Sequence, residues 1–233
     1  MTENRQRIAD NLAAVEERLH AACRRAGRDR SEVTLVAVTK TVSAETAALL
    51  PGLGVHDLGE SRPQELWRKA DFIPLVRWHL IGHLQRNKIE RTLPLLSRIH
   101  SVDSLRLLRA LETTAESLAD PRPLPALLEF NVSGEASKHG FAPEELDDIA
   151  AALPVLKYVR VDGLMTMAAY EDDPERTRPT FAALRELRDR LAAAMRRPLP
   201  HLSMGMSNDF EIAIEEGATL VRLGTVLFEG IEG

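Results

Sequence analysis

The sequence predicts an α/β protein built as a single (β/α)8 barrel of the TIM type, with an additional helix at its N-terminus. Three observations predict it. Short apolar, β-branched segments recur eight times, each closing on a polar residue or glycine, and helix-like segments alternate with them. The chain has 233 residues, inside the range of roughly 200 to 250 that such a barrel occupies. Finally, no G-x-G-x-x-G follows the first strand, where an open dinucleotide-binding sheet would carry it.

Taken in order, residues 3–26 place Ile8, Leu12, Val15, Leu19 and Ala22 at helical spacing with Gly27 just beyond, which predicts an amphipathic helix packed on the barrel within residues 1–30. The eight strand segments are "VTLVAVTK" (33–40), "GVHDLGE" (54–60), "VRWHLIG" (76–82), "SRIHSVDS" (97–104), "ALLEFNVS" (126–133), "YVRVDGLMTM" (158–167), "PHLSMGM" (200–206) and "TLVRLGT" (219–225). Between them, "APEELDDIAAAL" (142–153) and "RPTFAALRELRDRLAAAM" (178–195) read as helices. The proline-rich "ADPRPLP" (119–125) reads as a helix-to-strand connection, so residues 1–233 are expected to form one domain.

A net charge of −5 gives no electrostatic footprint for nucleic acid or an acidic membrane surface. No window approaches the 18 or more apolar residues of a membrane span, and the opening "MTENRQRIAD" lacks a signal-like apolar core. A cytoplasmic protein is expected. The only cysteine, Cys23, permits neither an internal disulfide nor a thiolate metal cluster. His79 and His83 have helical metal-ligand spacing, but "WHLIGH" reads as a strand running into Gly82 and lacks the glutamate of H-E-x-x-H, so no metal is assigned.

In a barrel of this kind chemistry belongs at the carboxyl ends of the strands. Those positions hold Lys40, Glu60 with Ser61, His83, Asp103, Asn131, Met165 with Met167, Ser203 to Ser207, and Arg222 to Thr225. Lys40 closes an apolar strand. Either its amine snorkels to the mouth, or desolvation there prepares it to attack a carbonyl. In "LSMGMSNDFEIAIEEG" (202–217), Gly205 permits a tight turn and Ser207 or Asn208 is a natural N-cap, so a helix is expected directly after the seventh strand. Its N-terminus suits a phosphate, or is simply an ordinary capped helix. In "VRLGT", Gly224 allows close backbone approach, Thr225 offers a hydroxyl, and Arg222 is a permanent cation in need of a partner. Barrels often build a phosphate site from these two loops. With an amine on the neighbouring first strand, the arrangement describes a site for a phosphorylated aldehyde.

"AVTK" with "TVS", "LGES…QEL", "WHLIGHLQRNK", "HSVDS", "FNVSGEASKHGF", "GLMTM", "LSMGMSNDFEIAIEEG" and "VRLGT" resemble the YggS/PROSC family of pyridoxal phosphate homeostasis proteins, from about residue 30 to the C-terminus. The resemblance implies a barrel similar to the N-terminal domain of alanine racemase, carrying pyridoxal 5′-phosphate as an internal aldimine on Lys40. It further implies that Ser207, Gly224 and Thr225 hold the phosphate, that Arg222 faces the pyridine nitrogen, and that position 61 faces the ring; Met165, apart from the resemblance, reads either as core filling or as a methionine against the cofactor face. Ser61 stands where many members have asparagine, and Lys138 matches a family lysine suspected of a secondary cofactor role.

Arg222 beside the pyridine nitrogen would disfavour its protonation, since a guanidinium cannot accept a hydrogen bond. The ring is then a poor electron sink. The expected role is a cofactor carrier or regulator acting toward pyridoxal-phosphate-dependent apoenzymes, with no catalytic residues assigned. The alternatives are a racemase using Lys40 and Tyr170 as bases, and a phosphosugar aldolase acting through Lys40 alone. The racemase's second domain has no counterpart here, so a monomer is expected.

Overall fold

All eight expected strands form, and they pair in chain order into a closed parallel barrel, β1 to β8, with β8 returning to β1. They are β1 (Thr34–Val38), β2 (Asp57–Glu60), β3 (Arg77–Leu80), β4 (Leu96–Val102), β5 (Leu124–Glu129), β6 (Val159–Met165), β7 (His201–Ser203) and β8 (Leu220–Leu223). The helices are α1 (Glu3–Arg25), α2 (Ala44–Ala47), α3 (Pro63–Phe72), α4 (Ile89–Thr92), α5 (Leu105–Glu116), α6 (Leu146–Ala152), α7 (Arg178–Met195) and α8 (Phe210–Glu215). This computed structural model describes residues 3–118, 122–135 and 139–231. Among them, no helix is long and apolar enough to cross a membrane.

The period-2 alternation of a strand sorts its side chains between two cores. Leu35 and Ala37 of β1, Leu58 of β2, Trp78 and Leu80 of β3 and Val221 and Leu223 of β8 join the large apolar layer with the helices. Val36, Leu127, Met165 and Leu220 form a much smaller separate cluster inside the barrel. The remaining inward positions include Asp57, His79, His100, Ser203 and Arg222, all buried. A barrel interior is usually packed with bulky branched residues; this one is largely polar.

The N-terminal helix forms as expected and packs chiefly against α8 and the turn Thr225–Leu227. Ile8, Val15 and Leu19 are fully buried, each contributing about 1.5–3 kcal/mol of apolar transfer. Arg18 clamps Glu211 with two hydrogen bonds of 2.9 and 3.0 Å, and Asn11 Nδ2 donates to Leu227 O at 3.1 Å. Arg28 reaches the carbonyls of Ile214 and Ala218 at 3.0 and 2.8 Å, satisfying acceptors at the α8 C-terminus. α1 thus braces from outside the two segments that shape the β7–β8 rim.

The structure differs from expectation in two places. The helix after β7 begins at Phe210 and its N-cap is Asp209, not Ser207 or Asn208. Asp209 Oδ1 accepts from Met206 N at 2.6 Å, closing the loop on itself, while Asn208 Nδ2 is drawn to Glu171 O at 2.9 Å. Residues 142–153 divide into a 3-10 turn at Pro143–Glu145, with Pro143 at its first position, followed by α6.

Candidate functional site

Lys40 lies two residues past β1, on a turn held by Thr39. Thr39 N donates to Gly59 O at 3.0 Å and Val42 N to Thr39 O at 3.1 Å. The buried Thr39 hydroxyl donates to Glu60 Oε1 at 2.7 Å. Lys69 Nζ, on α3, donates to Thr39 O and to Glu60 Oε1, both at 2.6 Å. A fully buried ion pair therefore fixes the residue preceding Lys40. Glu60 is part of this support and not of the mouth, and the sequence reading missed Lys69 altogether. A signal existed, since Lys69 follows Leu66 by three residues on the buried face of α3. Lys40 itself is exposed and has no hydrogen-bonding or ionic partner among the described residues. Of the two readings of this position, the structure shows the exposed amine and not the desolvated one.

Gly224 and Thr225 follow β8 and stand beside that turn, because β8 pairs with β1 in the register Val36↔Arg222 and Ala37↔Leu223. A Cβ on Gly224 would come within 3.1 Å of Val38 O, so the two strand ends touch here. Ser207 Oγ, from the β7 loop, accepts from Gly224 N and from Val226 N, both at 3.4 Å. Hydrogen bonds of that length are weak. Two backbone N–H groups and a hydroxyl therefore converge with capacity to spare, the kind of donor set that cradles an anion. Gly205 brings Ser207 into place: its φ is +94°, and a Cβ there would lie 2.7 Å from Ala213 Cβ.

Arg222, only 4% exposed, points into the barrel below this rim. Its guanidinium donates to Ser203 Oγ at 2.6 Å and Thr166 O at 2.9 Å, the partners its position demands. Burial pushes it down to about 10, while the charges of Asp209 and Glu129 act in the opposite sense. From Ser203 Oγ the contacts continue to His100 Nδ1 at 2.8 Å, from His100 Nε2 to His79 Nδ1 at 2.8 Å, and from His79 Nε2 to Asp57 Oδ1 at 3.0 Å. Arg77 closes the far end on Asp57 with bonds of 2.7 and 2.5 Å. Burial acts to raise Asp57, but hydrogen bonds from Arg77 and His79 overcome it and hold the carboxyl at about 2. Burial pushes His79 below the usual imidazole range, and His100 further still. Five strands supply this chain, which is why no local motif revealed it.

Ser61 is half-buried just past β2, its backbone against Gly82. Met165 is fully buried in the small interior cluster, a packing position directly beneath the mouth. Glu129, at the end of β5, is 4% exposed, and burial followed by the charge of Asp103 pushes it up to about 7. Tyr170 is 78% exposed, and Tyr158 lies at the amino end of β6 with its N–H on Glu112. Lys138 lies outside the described residues. A cavity of about 600 Å3 opens between Leu93, Leu96, Leu118 and Leu124, at the amino ends of β4 and β5. It is at the opposite end of the barrel from Lys40.

An amine and an anion cradle on adjacent strand ends, above a buried arginine, define a lysine-bearing (β/α)8 barrel with a candidate site at the carboxyl mouth. A profile of the family described as "Alanine racemase, N-terminal domain" matches residues 10–231. The chain is 42% identical over 221 residues to a pyridoxal phosphate homeostasis protein of Aquifex aeolicus, covering 94% of this chain and 96% of that protein. It is 36% identical over 234 residues to the Homo sapiens protein of the same name, covering 93% and 84%. The structure of PipY from Synechococcus elongatus PCC7942 with PLP bound superposes with a TM-score of 0.81 at 33% identity, covering 95% of this chain and 99% of that one. Alanine racemase from Corynebacterium glutamicum shares the fold at 17% identity, with a TM-score of 0.73, and this chain covers 63% of it. The chain belongs to the pyridoxal phosphate homeostasis protein family, within the alanine racemase N-terminal domain group.

Proposed function

We propose that the protein binds pyridoxal 5′-phosphate at the barrel mouth and serves its intracellular supply as a carrier or regulator, without robust catalysis. The observation that carries this reading is the contact between two strand ends, with Lys40 on one and the Ser207–Gly224–Val226 donor set beside the other. The relatives' shared name and the PLP-bound PipY structure support it. When bound, the cofactor supplies an aldehyde carbon for an amine and a phosphate dianion for the cradle. Lys40 engages the first; Ser207, Gly224 and Thr225 hold the second. Arg222 faces the ring nitrogen, and Ser61 and Met165 lie along the ring.

Arg222 offers only donors and a positive charge, so it discourages protonation of that nitrogen and leaves the ring weakly electron-withdrawing. A racemase would also need a base opposite Lys40, and Tyr170 extends into solvent. We read residues 1–233 as one domain and the protein as a cytoplasmic monomer whose partners are pyridoxal-phosphate-dependent apoenzymes. Titration with pyridoxal 5′-phosphate tests the core of this reading. The wild type should gain a visible absorbance band that borohydride bleaches with covalent retention on Lys40, and Lys40→Ala should do neither. Retention on another residue, or no spectral change in the wild type, would overturn it. Incubation with alanine in deuterated solvent should leave its α-hydrogen in place.

A further inference from the structure

We propose that His83, Asp103 and His139 form a binding site for a divalent transition-metal ion, on the rim of the mouth across from the anion cradle. The three lie in the loops that follow β3, β4 and β5; in a closed eight-stranded barrel β4 lies opposite β8. One ligand atom from each lies within 4.8 Å of the others. His83 Nδ1 is 2.6 Å from Asp103 Oδ2, and His139 Nδ1 is 3.9 Å from the same oxygen. The two imidazoles stack with centroids 4.7 Å apart and planes 18° from parallel, so both present Nδ1 to one carboxylate. A tetrahedral ion with bonds of about 2.0–2.1 Å needs donors roughly 3.3 Å apart. The observed separations bracket that value, and an ion would replace the short His83–Asp103 contact.

The backbone holds these ligands without the ion. Ser101 Oγ donates to Gly82 O at 2.7 Å, setting the residue before His83. Asp103 Oδ1 accepts from Ser104 Oγ at 3.2 Å, leaving Oδ2 for the histidines. His139 is followed by Gly140, with φ +120°, and by Phe141, which exchanges backbone hydrogen bonds with Glu129 O and Asn131 N at 2.8 and 3.0 Å. A neighbouring cavity gives a bound ion room beside these ligands. This cavity of about 350 Å3 adjoins His83 and Asp103 and is lined also by Gln85, Arg86 and Arg106. It leaves room for the open coordination positions of a three-ligand site.

Two imidazoles and one carboxylate suit Zn2+ and its first-row neighbours over Ca2+ or Mg2+. Calorimetric titration of the metal-stripped full chain with Zn2+ near pH 7.5 should show one ion per chain. Substituted Co2+ should give visible d–d bands. His83→Ala and His139→Ala, both at exposed positions, should fold normally by circular dichroism and weaken Zn2+ binding by roughly tenfold or more each. Substoichiometric binding by the wild type, or equal binding by both variants, would overturn the proposal. Neither result bears on the Lys40 absorbance, so the two readings fail separately.

Discussion

His100 Nε2 lies 2.8 Å from Nδ1 of His79 inside the barrel, and the direction of the proton between them is fixed from both ends of their chain. Arg222 can only donate, so Ser203 Oγ accepts from it and has its own proton free for His100 Nδ1. Asp57, ionised, can only accept, so His79 Nε2 must donate to it. Two neutral imidazoles satisfy both ends with one assignment of tautomers. The buried Arg222 and the carboxylate of Asp57 are thereby joined by neutral groups that all point the same way.

Removing one imidazole from this chain should be costly. His100→Leu strands the Ser203 proton and His79 Nδ1 in a dry interior, at about 1–3 kcal/mol for each unsatisfied group. Urea denaturation should show a loss of about 3 kcal/mol. His100→Gln, which offers an NH2 donor group and a carbonyl acceptor, should recover part of it. A loss in His100→Leu no larger than that of an ordinary surface substitution would show that the chain does not support the fold.

The same histidines set an acid dependence. Their folded pKa values lie below the ordinary 6.5 because burial disfavours the imidazolium; for His100 the charges of His79, Arg222, Arg98 and His201 add to it, and for His79 those of Arg98 and Arg77. Asp57 acts the other way on His79. Below about pH 6.5 the unfolded chain binds protons that the folded one does not, so stability falls with falling pH. Asp57, held at about 2, loses its own contribution only between roughly pH 4 and 2. Denaturation midpoints at pH 7.5 and 5.5 should therefore differ in the wild type. The difference should shrink in a His79→Gln/His100→Gln double variant.

The buried pair beneath Lys40 gives a third test. Lys69→Met leaves Glu60 charged and uncompensated, at about 3–5 kcal/mol, whereas Lys69→Met/Glu60→Leu removes both charges and should regain most of that stability. Thr39 O loses its Lys69 partner in both variants. Pyridoxal 5′-phosphate affinity should stay reduced in the double variant even where stability returns. Recovery of both together would show that the pair stabilises the fold without positioning Lys40.

How legible these features were follows from their range. The strands and the helices α1 and α7 were readable because each is a local pattern of period 2 or 3.6, and α7 begins and ends at the residues the pattern marks. Lys40 and Gly224 were readable from motif and strand order, since closing the barrel makes first and last strands neighbours. The cap at Asp209 was missed because Ser207, Asn208 and Asp209 are equally good caps in isolation, and Glu171 O, far away in sequence, diverts Asn208. Likewise the inward histidines alternate with Trp78, Leu80 and Ile99 as any half-polar strand would. Only the register of neighbouring strands reveals that they meet.

Ser207 offers the sharpest separation of the cradle from the rest of the mouth. Its hydroxyl is the shared acceptor of Gly224 N and Val226 N at 3.4 Å, so Ser207→Ala removes a donor for phosphate while freeing two others. A charge-assisted hydrogen bond contributes about 1.5–3 kcal/mol, and the gain from the freed N–H groups offsets part of it; roughly tenfold weaker binding of the phosphorylated aldehyde is expected. Pyridoxal, which lacks the phosphate, should bind wild type and variant alike. Gly224→Ala behaves differently, because its Cβ would press on Val38 O at 3.1 Å and part the ends of β1 and β8. That variant should weaken both ligands together, since it moves the Lys40 turn as well as the cradle. Equal losses for the two ligands in Ser207→Ala would place the phosphate elsewhere on the rim.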